Sequence, residues 1–161
     1  MSQERGVGGI EIATVSGAVV VGNDRSEGAL AATEWALADA ERRGVRLVVL
    51  RAWSITSAPR PAGSEHGYVP SEDEFADAVR AEMASDLASV IEGGRVEVTL
   101  MPAHCSADDA LVEASKHAAL TVVGARGHGL ARWLGSVSTA VVRASHGPVT
   151  VIPGRGERGA D

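Results

Sequence analysis

Aromatic residues are scarce in this chain: Trp35, Trp53, Tyr68, Phe75 and Trp133 are all it has. They are not interleaved with basic residues, so a stacking platform for single-stranded nucleic acid is excluded. Cysteine is rarer still. Cys105 stands alone, which rules out an internal disulfide and suits a reducing compartment, so the cytoplasm is the expected location. Lys116 is the single lysine and is not preceded by the glycines of a Walker A loop. No apolar run approaches the length of a membrane span, and the first residues carry Glu4 and Glu11 with no signal-peptide core. No membrane partner is expected. His66, His104, His117, His128 and His146 have no metal-site spacing, and no Gly-x-Ser-x-Gly elbow occurs.

The most telling absence is of one charge sign. From Ala114 to Gly156 there is no Asp or Glu, while Lys116, Arg126, Arg132, Arg143 and Arg155 all fall there. Residues 1–113 hold 19 acids against 9 Lys or Arg, and the whole chain carries a formal charge of −6. An acidic whole argues against binding a nucleic-acid backbone. A basic, acid-free segment still permits a small anion.

What is present is a regular alternation. At 161 residues and 45% hydrophobic content, the chain suits one domain with a substantial core. Ala18–Gly22, Val45–Ala52, Val96–Leu100, Leu120–Val123 and Val149–Ile152 read as strands. Leu47-Val48-Val49-Leu50 is apolar without alternation, as in a parallel sheet buried on both faces. The third strand alternates and is placed at an edge. Between the strands lie helix signals. Ser26 is a candidate N-cap, followed by Ala29, Ala32, Thr33, Ala36, Leu37 and Ala40 on one face, with Gly44 as the stop. Ser71 and Glu74 form a capping box, and the pattern Phe75, Val79, Met83, Leu87 and Ile91 predicts one helix up to Gly93. Ser106 opens a third helix, and a fourth runs from about Ser136 to Ser145, with Ser136 readable also as an ordinary N-cap. Ser54–Pro70 reads as an exposed loop. Met1–Ser16 and Gly154–Asp161 are expected to be loose tails around a single domain at 17–153.

This order predicts an α/β fold: one doubly wound domain, a five-stranded parallel sheet in the order 3-2-1-4-5, and helices on both faces. Ligands of such sheets bind beyond the carboxyl ends of the strands, where strand order reverses. Two segments are placed at that crevice. One is Gly22-Asn23-Asp24, whose aspartate can accept hydrogen bonds from ribose hydroxyls or act only as a turn residue. The other is the glycine-studded stretch Val123-Gly124-Ala125-Arg126-Gly127 with Gly135-Ser136-Val137-Ser138. There, bare amides and a helix start can face phosphate oxygens. Arg126, His128 and Arg132 can neutralise phosphate or merely lie on a solvated surface. Cys105 lies near a helix start, where a thiol can become more acidic, but a small, partly buried residue is the favoured reading.

Taken together, these residues resemble the universal stress protein family over 17–153. Val19-Val20-Val21-Gly22-Asn23-Asp24-Arg25-Ser26 is similar to its opening strand and turn, and Leu47–Trp53 to its second strand. Thr121–Gly127, Leu134–Ser138 and Pro148–Pro153 are similar to its closing signature. The resemblance implies adenine-nucleotide binding by a sensor or regulator and no efficient catalysis. It also implies a homodimer formed through the last strand, Val149–Ile152. By resemblance, Asp24 and Ala52 line an adenosine pocket together with Gly22 and Val123. Gly124, Arg126, Gly127, Gly135, Ser136, Val137 and Ser138 meet ribose and phosphates. ATP is the implied ligand, with Mg2+ as its companion.

The chain departs from the ATP-binding pattern in one respect. His128–Leu134 is two residues shorter than the family's loop, a loss of about 7 Å of maximal reach. AMP or cyclic AMP is therefore an alternative ligand, and a dimeric interaction module without nucleotide is an alternative function. Asn23 and Arg51 replace residues that are more often apolar and histidine. An enzyme ranks last, because His128 is the sole candidate base near the glycines.

Overall fold

Valine runs that bury both faces need helices above and below them, and the chain supplies both layers. The computed structural model describes residues 4–125 and 134–154. Its strands are β1 (Val19–Gly22), β2 (Leu47–Ala52), β3 (Val98–Ala103), β4 (Leu120–Gly124) and β5 (Val149–Ile152). They form one parallel sheet in the order β3-β2-β1-β4-β5. The helices are α1 (Ile12–Val15), α2 (Glu27–Arg43), α3 (Glu72–Asp86), α4 (Ala88–Gly93), α5 (Ala107–Ser115) and α6 (Ser136–Ala144).

Alternate strand residues feed two cores. Val19, Val21, Leu47 and Val49 pack with Ala32, Ala36 and Ala40 of α2 and with Val79, Met83 and Leu87 from the α3–α4 side. Val20, Val48 and Leu50 pack on the opposite face with Ala110, Leu111 and Ala114 of α5 and Val141 of α6. The predicted doubly wound α/β fold is therefore the one observed. The alanine stripe of α2 lets its backbone come close to the sheet. A Cβ at Gly124 would lie 3.1 Å from the main chain of Gly28, so this contact between β4 and the start of α2 favours glycine.

Local signals hold at most helix ends. Ser26, Ser71 and Ser106 each accept a hydrogen bond from the third helical amide, and Ser71 with Glu74 completes the capping box. Gly44 ends α2 in the left-handed conformation, φ 68°. β3 lies at a sheet edge, where Pro102 costs no shared ladder bond.

Three expectations are corrected. The predicted helix from Ser71 to Gly93 breaks at Leu87, which leaves helical dihedrals (φ −110°, ψ 13°) while Leu87 and Val90 both stay buried. The tail expected over Met1–Ser16 is folded from Glu4 onward. Ile10 and Val15 are fully buried in the α5–α6 core, and the Gly8 carbonyl accepts a hydrogen bond from the His104 amide at 3.1 Å. Burial of two large apolar side chains offsets the entropy of ordering the segment. The third correction concerns α6. It starts at Ser136 as expected, but its N-cap is Gly135, so the reading of Ser136 as an N-cap fails.

Candidate functional site

In a parallel sheet with helical crossovers, helix N-termini gather at the carboxyl edge of the strands. Here α2, α5 and α6 all open there, around the point where order reverses between β1 and β4. A cavity of about 250 Å3 lies at this point. Every predicted site residue among those described lines it: Gly22, Asp24, Ala52, Val123, Gly124, Gly135, Ser136, Val137 and Ser138. Arg126 and Gly127, with His128, Arg132 and Trp133, lie outside the described residues. Asn23, already placed at the crevice with its neighbours, lines it too, and Ser26, Ala29, Leu50, Ala107 and Leu111 are wall residues the sequence reading missed. Ser26 and Ala29 were legible only as the start of a helix, and Leu50 only as strand core.

The lining of the cavity is mixed in chemistry. Leu50, Ala52, Leu111 and Val123 supply an apolar part of it. Another part is the first turn of α6. The first amides of an α-helix have no carbonyl within the helix to bond. In α2, α3 and α5 a serine cap covers one of them. In α6 the cap is Gly135 (φ −64°, ψ 169°), with no side-chain cap bond. The amides of Ser136, Val137 and Ser138 are thus left bare of any cap side chain at the end of the helix that carries partial positive charge.

The two serines of this turn have different roles. Ser136 is exposed. The Ser138 hydroxyl is buried and points to main-chain acceptors, the Ala125 carbonyl at 2.8 Å and the Gly135 carbonyl at 3.0 Å. The Gly135 amide also donates to the Ala125 carbonyl, at 2.8 Å. The Ser138 hydroxyl therefore anchors the helix start. The Ser138 amide remains in the first turn.

Beyond the end of β1, Asp24 is exposed and its Oδ1 accepts hydrogen bonds from the Ser26 amide at 3.0 Å and the Ser26 hydroxyl at 2.5 Å. Asp24 therefore shapes the turn and also lines the cavity. Asp24 is the one carboxylate among the described lining residues. Cys105 does not gain acidity from the start of α5. Burial pushes its thiol up, and Asp109 and Asp108 add to that. Among the described residues, no cluster of His, Cys, Asp or Glu could hold a metal ion. Among the same residues, no helix is long and apolar enough to cross a membrane.

This geometry has known counterparts. A family model described as "Universal stress protein family" matches residues 17–153. The chain belongs to that family. Universal stress protein Rv2005c of Mycobacterium tuberculosis is 36% identical over 135 residues, which cover 83% of this chain and 44% of the relative. Universal stress protein Rv2623 of the same organism is 34% identical over 148 residues, covering 83% and 46%. The chain thus spans about half the length of the curated universal stress proteins it matches. Among solved structures, a universal stress protein crystallised in complex with cAMP superposes with a TM-score of 0.61 at 25% identity, covering 86% of this chain and 98% of that one. The universal stress protein UspA of Lactobacillus plantarum shares the fold, with a TM-score of 0.62 at 20% identity over 85% of this chain and 98% of that one.

Proposed function

We propose that this universal stress protein binds an adenine nucleotide in the cavity between β1 and β4 and acts as a stress-response regulator in the cytoplasm. The observation that carries the reading is the first turn of α6, which has no side-chain cap bond and shares a cavity of about 250 Å3 with apolar lining residues. The adenine ring lies against Leu50, Ala52, Leu111 and Val123. Asp24 meets the ribose, and the amides of Ser136–Ser138 receive a phosphate. The cAMP-bound relative supports an adenine nucleotide as the class. The volume lies just below the roughly 300–1,000 Å3 of ordinary small-molecule sites. That favours AMP or cyclic AMP as readily as ATP. Mg2+ would accompany ATP on its phosphates, because the described wall offers only one carboxylate. We propose binding without efficient turnover for the same reason.

Calorimetric titration of nucleotide-stripped protein with ATP, ADP, AMP and cyclic AMP tests the reading. Saturable heat is expected with at least one of them. No heat with any leaves the chain as a scaffold.

Pairing of two copies through β5 is a second part of the proposal. β5 is a sheet edge whose residues are all half-buried, and Val142 of α6 is 49% exposed. Sedimentation at micromolar concentration is expected to give a dimer, and a clean monomer overturns this part.

A further inference from the structure

Arg51 interrupts an apolar strand. It is only 5% exposed, in β2, immediately before the cavity residue Ala52. A buried guanidinium is tolerated only when its donors are matched, and these are matched on two sides. On one side, its Nε donates to the Asn23 carbonyl at 3.2 Å and its terminal nitrogen to Asn23 Oδ1 at 2.7 Å. On the other, it reaches Asp86 Oδ2 at 3.1 Å and Glu82 Oε2 at 3.5 Å, both on α3. The same two carboxylates are held a second time from the turn itself. Arg25 pairs with Glu82 Oε1 at 2.7 Å and Asp86 Oδ2 at 3.0 Å. Arg25 has φ 71°, a left-handed conformation that a residue with a side chain adopts at a cost. Asn23 is tied further, donating to Thr33 Oγ1 at 3.1 Å and accepting from the Arg25 amide at 3.2 Å.

We infer that Arg51 is a positioning residue for the nucleotide pocket, fixing the Asn23–Ser26 turn, and with it Asp24, against β2 and α3. The inference rests on the adenine-nucleotide reading of that pocket. Asp24 sits between a residue gripped by Arg51 and a residue gripped by Glu82 and Asp86, so its place in the wall is set by its neighbours. Arginine is needed because one planar fork serves Asn23 and the α3 carboxylates at once. A lysine offers a single point charge and cannot span both. The arrangement also gives α3 a mechanical link to the ligand site, although no α3 residue lines the cavity.

The test uses the full chain with Arg51→Lys, Arg51→Met and a remote destabilised control, Gly8→Ala. Amide hydrogen exchange at Arg25 and Ser26 is expected to quicken at least tenfold in both Arg51 variants. Exchange at Val122 in β4 is expected to quicken only by the factor that the loss of global stability, read by urea unfolding, accounts for, and by less than at the turn. AMP affinity is expected to fall by roughly tenfold in Arg51→Lys, as for loss of a charge-assisted hydrogen bond. Gly8→Ala is expected to bind AMP normally despite a lower melting temperature. Arg51→Lys keeps the charge, so it reports on the turn even if Arg51→Met does not fold. Wild-type exchange at the turn in Arg51→Lys, together with unchanged AMP affinity, overturns the inference. If the wild-type protein binds neither AMP nor ATP, the nucleotide reading fails, and turn exchange alone then decides the role of Arg51.

Discussion

Ser136 and Ser138 are two residues apart in one helical turn, yet their alanine variants should fail in opposite ways. The Ser138 hydroxyl is buried and donates to main-chain carbonyls. Removing it loses one neutral hydrogen bond, about 1 kcal/mol. No acceptor is orphaned, because the Ala125 carbonyl keeps the Gly135 amide at 2.8 Å. For a domain of this size that is a fall in melting temperature of about 2–4 °C. Nucleotide affinity should change by less than about threefold, since the hydroxyl does not face the ligand. Ser136 is exposed at the cavity, with only phosphate to gain as a partner. Its loss costs about 1.5–3 kcal/mol of binding, the range for a hydrogen bond to a charged group. That is roughly a ten- to hundredfold rise in Kd. The melting temperature of the free protein should stay within about 1 °C. Thermal unfolding by circular dichroism and calorimetric AMP titration read both quantities. A Ser138→Ala protein that loses binding at full stability, with Ser136→Ala silent, would refute the division of roles.

Other perturbations probe the frame around the site. Gly8→Ala should destabilise the protein by about 1–2 kcal/mol, read by urea unfolding, because φ is +67° and a Cβ would strike the Cys105 sulfur. An unchanged midpoint would mean that the N-terminal segment does not pack as described. The Cys105 thiol, raised by burial, Asp109 and Asp108, should alkylate with iodoacetamide more slowly at pH 8 than a free thiol. Because its pKa is higher folded than unfolded, its contribution should fall as pH rises past the unfolded thiol's pKa, and Cys105→Ala should remove that part of the alkaline slope. Burial pushes the Asp39 carboxyl up, but hydrogen bonds from Arg43 and Arg42 outweigh it and hold it below its ordinary value. Asp39→Asn should therefore cost about 0.5–1 kcal/mol at pH 7, for two helical ion pairs. The cost should vanish as pH falls through the depressed folded pKa, and a deficit that persists there would contradict the pairing.

Much of this was legible in the sequence. Val19–Val21 and Leu47–Leu50 could only be strands buried on both faces. Ser26, Ser71, Ser106 and Gly44 mark helix ends by local chemistry alone, and the structure keeps all four. The same local chemistry failed at Gly135-Ser136, because glycine and serine are both acceptable caps and nothing local chooses between them. The N-terminal segment was illegible for a different reason. Its apolar residues Val7, Ile10, Ile12 and Val15 follow neither a helical nor a strand period, and the buried pair Ile10 and Val15 packs with α5, α6 and the sheet. Arg51 and Asn23 were visible as departures from the family pattern. Their meaning needed three dimensions, because Glu82 and Asp86 approach from a helix more than thirty residues away in the chain.

The central claim is that main-chain amides at the start of α6 hold a phosphate. Amide resonances of Ser136, Val137 and Ser138, followed by NMR as AMP and then adenosine are added, test it most directly. The account expects these three to move sharply with AMP and barely with adenosine, while Ala52 and Leu111 respond to both. If AMP saturates the protein and the three resonances stay still, the phosphate is held elsewhere and the account is wrong.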